Sequence, residues 1–277
     1  MECLRPGGMY GKERDMSVTV RTIIDALDEI YPHSLAMEWD NPGLQVGRTG
    51  REVTRAVVAL DATDEVVARC VSENAQLLLT HHPLTMGGVR QVHEDDMTGR
   101  RILLMAENGI AHFAMHTNYD VVTMGPLAGR MLGLEQDRVL DVTAETEGGT
   151  FGIGRAGLLP AWCTAQECCE QVKKTFELDG IRLFGDPERK VRYVAISPGS
   201  GKSMIRPALA LGVDMLITGD IGHHDGIDAV AQGMLVADAG HYGIEHIFIR
   251  QMADWLRNRY PDMEVLESEE KPPFVTV

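Results

Sequence analysis

Long apolar runs, clustered positive charge and paired cysteines are all missing from this 277-residue chain. No stretch approaches the ~18 apolar residues that a membrane-spanning helix needs, so a helical membrane protein is not expected. Lys and Arg number 26 against 41 Asp and Glu, a net charge of −15. Binding to a nucleic-acid backbone draws on clustered cations, so nucleic acid is not an expected partner. A small phosphate-bearing molecule stays open as a partner, because a bound dication can supply positive charge locally. The five cysteines, Cys3, Cys70, Cys163, Cys168 and Cys169, are odd in number and none shows C-x-x-C spacing. They read as buried or incidental thiols of a reducing compartment, which places the chain in the cytoplasm. The leader Met1–Asp15 has Arg5, Lys12 and Arg14 but no apolar run, unlike a secretory signal. Residues 1–15 are expected as a disordered leader or extended start, with Met16–Ser17–Val18 as the natural beginning. Aromatics are scarce at 5%, whereas there are 29 glycines. That combination suits an α/β protein with many strand-to-helix turns.

Val20, Ile23, Ile24, Leu27 and Ile30 recur at helical spacing ahead of Pro32 and predict an amphipathic first helix. Short apolar runs then alternate with helical patterns. Ala56–Leu60, Leu77–Leu79 and Ile110–Met115 read as buried strands, with helices near 65–74 and 99–108 between them. Strand–helix–strand order implies parallel pairing and a layered α/β fold. The second half repeats the scheme with strands at Tyr193–Ser197, Met215–Ile217 and Leu235–Ala237. A shift of 138 positions carries Val57-Val58-Ala59 onto Ala195-Ile196-Ser197, and Leu77–Thr80 onto Met215–Thr218. The expected fold is therefore two similar α/β halves, an internal pseudo-repeat, with mixed or parallel sheets flanked by helices. The halves are expected at residues 16–138 and 191–277, joined by a connecting segment over 139–190.

Functional groups in open α/β sheets gather beyond the carboxyl ends of strands, and the unusual residues of this chain sit there. Thr80-His81-His82-Pro83 follows one strand directly, and adjacent imidazoles on a tight turn can aim at neighbouring coordination positions. His116 precedes Asp120, and His241 precedes Glu245, each by four positions after a strand. On a first helical turn each such pair shares one face. A single pair of this kind is more simply a helix cap with a favourable carboxylate. Two in matching places, beside His81-His82, favour metal. Thr218-Gly219-Asp220 replaces the histidine pair in the second half, so His223 and His224 are expected to support the ligands or face substrate. His33, His93, His112 and His246 have no organised carboxylate and read as structural or solvated.

His81, His82, Asp120, His241 and Glu245 are too many donors for one tetrahedral zinc. They suit two divalent ions ~3.5–4 Å apart sharing a carboxylate, as in two-metal hydrolytic sites. Nitrogen and oxygen donors without thiolate point to Zn, Mn or Fe. Ser197-Pro198-Gly199-Ser200-Gly201-Lys202-Ser203 approaches a phosphate loop, but the pattern requires Gly where Ile196 stands, so that reading fails. A weaker anion-binding role for the loop amides survives.

With these residues in hand, the sequence resembles the Nif-three-like family of dinuclear-metal proteins, known as GTP cyclohydrolase I type 2 homologues. The motifs are Glu38–Gly47 (EWDNPGLQVG), Thr80–Pro83, His116–Asp120, Thr218–Asp220 and His241–Glu245, spread from Val18 onward. The resemblance implies metal ligands at His81, His82, Asp120, His241 and Glu245, and assembly as a homohexamer in the compact form. It also makes Glu38 or Asp40 a neighbour of the site. The function expected is a metal-dependent hydrolase acting on a nucleotide or phosphoester. Glu245 or Asp120 would bridge or hold the ions, and His116 or His223 would carry a proton. The alternative is a non-catalytic metal-binding or regulatory protein.

Overall fold

Five apolar positions on one face give the first helix, α1 (Val20–Ile30), four of them buried, and the Thr19 side chain caps its start by accepting from Thr22 N at 3.2 Å. The computed structural model describes residues 17–269 together with Pro272 and Phe274; the expected leader over 1–15 lies outside these. After α1 the chain forms β1 (Gly43–Val46), β2 (Arg55–Ala59), α2 (Asp64–Ser72), β3 (Leu77–Thr80), α3 (Met97–Glu107) and β4 (Ala111–Ala114). Strands β2, β3 and β4 pair in parallel, as the intervening helices require. β1 lies antiparallel on the outer side of β4.

Beyond β4 come a short turn of helix, α4 (Thr117–Tyr119), a π-helical turn at Asp120–Met124, and α5 (Gly125–Leu132). The long hairpin β5 (Glu135–Thr146) and β6 (Gly149–Thr164) follows, then α6 (Ala165–Thr175), β7 (Arg182–Phe184) and β8 (Lys190–Ser200). The chain continues through α7 (Ile205–Leu211), β9 (Met215–Gly219), α8 (His223–Ala231) and β10 (Leu235–Asp238). It ends with α9 (His241–Glu245), α10 (Ile247–Arg259) and β11 (Glu264–Glu267).

Two sheets result, one in the order β1-β4-β3-β2-β11 and the other β5-β6-β8-β9-β10-β7. The central three strands of each half carry the same register. Val57 faces Leu78 in the first sheet, and Ala195 faces Leu216 in the second, the partners that the 138-position shift relates. Residues 139–190 are more than a connection, because they supply most of the β5–β6 hairpin, α6 and β7 to the second sheet. Polar residues on β5 and β6 blur the alternation there, which is why the sequence exposes only part of this hairpin. The halves also trade a strand, since β11 from the end of the chain pairs in parallel with β2.

Alternation along β3 distributes its side chains between two cores. Leu77 and Leu79 join a continuous core with Ile196, Ile217, Ala237 and Phe248, so one face of each sheet contributes to a shared interior. Leu78 packs on the opposite face with Val66, Val67 and Met105 of α2 and α3. Ala195, Leu216 and Val236 do the same on the far face of the second sheet with Ala208 and Ala229. Each fully buried leucine contributes roughly 1.5–3 kcal/mol. This shared interior fixes how the strand ends of the two sheets face each other.

Candidate metal centre

The turn after β3 is held by its own threonine: Thr80 Oγ1 donates to the His82 carbonyl at 2.7 Å, and His82 N donates to Leu60 O at 3.0 Å. His81 is thereby turned into the shared core, fully buried, with its ring 5.3 Å from Phe248 and 6.0 Å from Tyr119. After β4, Asp120 N donates to His116 O at 3.0 Å, closing one helical turn. Asp120 opens the π-helical turn, a feature that recurs at functional sites because it re-aims one side chain. After β10, Gly240 at φ +77° lets the backbone swing into α9, where His241 and Glu245 lie one turn apart with Nε2 and Oε2 separated by 3.0 Å.

Two glycines make room for this second motif. A Cβ on Gly219 would stand 2.6 Å from His241 N, so the β9 end cannot bear the side chain that the β3 end bears at His81. Gly199, at φ +77°, comes so close that its Cβ would stand 2.2 Å from Glu245 Oε1. The glycine-rich loop after β8 is therefore a wall of this centre.

Four histidines are anchored the same way. His81 Nδ1 meets Met115 O at 2.9 Å, and His82 Nδ1 meets Asp61 Oδ1 at 2.9 Å. His116 Nδ1 meets Asp40 Oδ1 at 2.8 Å, and His241 Nδ1 meets Asp220 Oδ2 at 2.8 Å. An acceptor on Nδ1 fixes the ring and leaves Nε2 facing inward, which is how metal-binding histidines are oriented.

What Nε2 faces is a set of acceptors. His81 Nε2 lies 3.5 Å from Asp120 Oδ1 and 3.6 Å from Glu245 Oε1. His82 Nε2 lies 3.2 Å from Glu245 Oε2 and 3.4 Å from His241 Nε2. His81 Nε2 and Asp120 Oδ1 are buried without a hydrogen-bond partner, and Glu245 Oε2 is buried with only the two imidazole Nε2 atoms facing it. Leaving such atoms unpaired costs ~1–3 kcal/mol each, more when charged. Donors bound at ~2.0–2.1 Å to a tetrahedral ion sit roughly 3.3 Å apart, so the spacings match a cation among them. Donor atoms within 4.8 Å of one another fall into three groups: His82, His241 and Glu245; His81, Asp120 and Glu245; and His81, His82 and His116. Glu245 belongs to two of these. The residues fit one or more divalent ions.

The electrostatics follow from burial and partners. Burial alone would raise Glu245, but the surrounding histidines hold it well below the ordinary carboxylate range. Asp120 is pushed up to about 7 by burial and the nearby Glu245 charge. Burial lowers His81, keeping it neutral with an open Nε2 lone pair. Burial also disfavours a charged His82, yet hydrogen bonds to Asp61 and Glu245 raise it to about 10. His241 rises to about 9, chiefly through its hydrogen bond to Glu245. A cation and these protons are competing counterions for one carboxylate cluster.

The five residues expected as ligands thus meet at one place, and His116 joins them from the side. His223 does not: it is exposed at the start of α8, its nearest recorded ring is His224 at 5.2 Å, and none of the three donor groups includes it. Glu38 is exposed, whereas Asp40 is buried against His116. Asp61 and Asp220 were not anticipated as histidine partners. Their signal was position, because each stands at the end of a strand (Leu60-Asp61 and Gly219-Asp220). His112, expected to be structural, is buried with Nε2 2.7 Å from Thr80 Oγ1, and burial lowers it to about 3.

Residues 18–273 match the Duf34/NIF3 (NGG1p interacting factor 3) family, and the chain belongs to it. A Lactococcus lactis protein called GTP cyclohydrolase 1 type 2 homolog is 36% identical over 256 residues, 90% of this chain and 96% of the relative. A Clostridium acetobutylicum protein of the same name is 32% identical over 232 residues, 83% of this chain and 86% of its own. Among solved structures, a Bacillus cereus protein related to NIF3 superposes with TM-score 0.86 at 24% identity, covering 94% of this chain and 99% of that one. Reduced HcgD from Methanocaldococcus jannaschii superposes with TM-score 0.77 at 26% identity, over 92% and 99% of the two chains.

Proposed function

We propose that this Duf34/NIF3 protein binds two divalent metal ions and hydrolyses a small nucleotide or phosphoester with them. His82, His241 and Glu245 would hold one ion, and His81, Asp120 and Glu245 the other, Glu245 belonging to both groups. The observation that carries this reading is the convergence of His81 Nε2 and Asp120 Oδ1, both buried without a hydrogen-bond partner, on Glu245, whose Oε2 also faces His82 Nε2 and His241 Nε2. Nitrogen and oxygen donors without thiolate suit Zn, Mn or Fe. When bound, such a pair supplies Lewis-acid polarisation and a more acidic water.

The chain's own part is positioning and proton transfer. His116 is set to exchange a proton, since Asp40 engages its Nδ1 and leaves Nε2 on the side of His81 and His82. Asp61 and Asp220 keep His82 and His241 aimed. The name shared by the Lactococcus and Clostridium relatives supports a nucleotide such as GTP as the substrate class. No helix among the described residues is long and apolar enough to cross a membrane, consistent with action in the cytoplasm. Assembly as a homohexamer completes the proposal.

Elemental analysis of purified protein beside a His81→Ala variant is the test. About two ions per chain, reduced in the variant, with metal-dependent turnover of GTP or bis-p-nitrophenyl phosphate, is the expected result. Protein that takes up neither Zn, Mn nor Fe overturns the proposal. Full occupancy without turnover of any nucleotide or phosphoester overturns the hydrolase and leaves a binding protein.

A further inference from the structure

The loop between α1 and β1 combines two properties that rarely coincide: it is firmly tied down, and it carries an exposed tryptophan. Asp40 ties it to the β4 end, accepting from Thr117 N at 2.9 Å and from Thr117 Oγ1, while its other oxygen meets His116 Nδ1 and its own neighbour Asn41 N. Thr117 Oγ1 in turn accepts from Met37 N at 2.9 Å. Asn41 Nδ2 donates to Thr85 O at 2.8 Å, and Gln45 Nε2 to Asn41 O at 2.7 Å. Trp39, between these anchors, is 60% exposed.

Its ring does not float free of the centre. The indole stands 5.8 Å from the His116 ring at 74°, a near-perpendicular contact that leaves an indole face uncovered by that ring. The His116 ring is in turn 5.2 Å from His81 and 5.5 Å from His82. A recess of about 400 Å³ opens beside the same loop, lined by Asp40, Asn41, Gln45, Thr85 and Met86 among others. That is within the range of small-molecule sites, roughly 300–1,000 Å³.

We infer that Trp39 is a stacking platform for the planar heteroaromatic base of the ligand, and so selects nucleotides over phosphoesters that lack a base. This rests on the nucleotide reading of the site and deepens it. An exposed aromatic costs apolar hydration when nothing covers it, and here the backbone bonds hold it in place in advance of any ligand. A ring in offset stack on the indole, with centroids ~4.5–7 Å apart, borders the His116 imidazole. Stacking is tolerant of base identity, because every base has a π-face. Trp39 therefore favours bases as a class.

The test separates base recognition from turnover. Full-length, zinc-loaded wild-type protein, Trp39→Ala and Trp39→Phe are titrated calorimetrically with GTP, ATP, CTP and UTP, and separately with inorganic tripolyphosphate. The expected result is that Trp39→Ala weakens nucleotide binding roughly 5- to 100-fold, keeps its tripolyphosphate affinity, and that Trp39→Phe recovers most of the loss. Nucleotide binding unchanged in Trp39→Ala overturns the inference, as does equal loss of nucleotide and tripolyphosphate. Wild-type protein that binds none of the four nucleotides better than tripolyphosphate also overturns it. Base-dependent binding without turnover keeps Trp39 as the platform and removes only the hydrolase.

Discussion

His82 and His241, from opposite halves of the chain, point Nε2 at the same carboxylate oxygen, Glu245 Oε2, from 3.2 and 3.0 Å. Each is aimed by an aspartate behind it, Asp61 for His82 and Asp220 for His241. Asp220 holds its place at φ +56°, a left-handed conformation that costs energy for a residue with a Cβ. Replacing Asp61 or Asp220 by Ala should weaken metal affinity about 10- to 100-fold while leaving the circular dichroism spectrum unchanged. Competition titration against a fluorescent chelator measures this, and wild-type affinity in both variants would contradict the aiming role.

Metal uptake should release protons. His82 and His241 are raised to about 10 and about 9, so both carry protons at pH 7 in chelator-stripped protein. A bound ion displaces roughly two protons per chain, and affinity rises with pH. Calorimetry in buffers of different ionisation enthalpy reads the number directly; heats independent of buffer would exclude the exchange. The same two shifts bear on stability. Both histidine pKa values lie above the ordinary 6.5, so their stabilisation is complete below pH 6.5 and lost as pH rises through about 9–10 in stripped protein.

Gly199→Ala should be disproportionately harmful for the addition of one methyl group. The new methyl would meet Glu245 Oε1 at 2.2 Å, and the backbone sits at φ +77°. Ala at such a position costs about 1 kcal/mol or more from backbone strain alone. The larger effect is displacement of the Glu245 carboxylate, so metal content should fall toward zero. A variant with normal metal content by elemental analysis would show that Glu245 is not fixed there.

Acid should loosen the Asp40 loop. Burial pushes this carboxyl up, but hydrogen bonds from His116 and Thr117 prevail and bring it from 3.8 to about 2. A depressed carboxylate stabilises the fold above its unfolded pKa and loses that contribution as pH falls, here between roughly pH 4 and pH 2. The contribution is on the order of 2 kcal/mol. Denaturant midpoints across this range should fall more steeply for the wild type than for Asp40→Asn, and parallel curves would refute it.

The parallel strands were legible because buried strands are continuous apolar runs, and the nearness of His241 to Glu245 because residues four apart share one face of a helical turn. The shared 138-position shift even foretold the register, Val57 on Leu78 and Ala195 on Leu216. Strand β5 was hidden because most of its residues face water and carry no period-2 apolar pattern. Asp61 and Asp220 stayed hidden for a different reason. A lone aspartate after a strand looks like turn chemistry until the fold brings a histidine to it. His223 looked promising as a doubled histidine beside an acidic residue, yet α8 starts with its imidazole in solvent.

The strand exchanged between the halves has a consequence for the order of events in the cell. β2 is made early, but its outer edge is closed only by β11, whose Glu264 reaches Arg55 with a 2.5 Å ion pair. Glu245 and His241 likewise leave the ribosome long after His81 and His82. A nascent chain therefore carries three of the five donors until residues 241–245 emerge, and an uncovered strand edge until residues 264–267 do. The strand edge and the donor cluster are thus completed only late in synthesis.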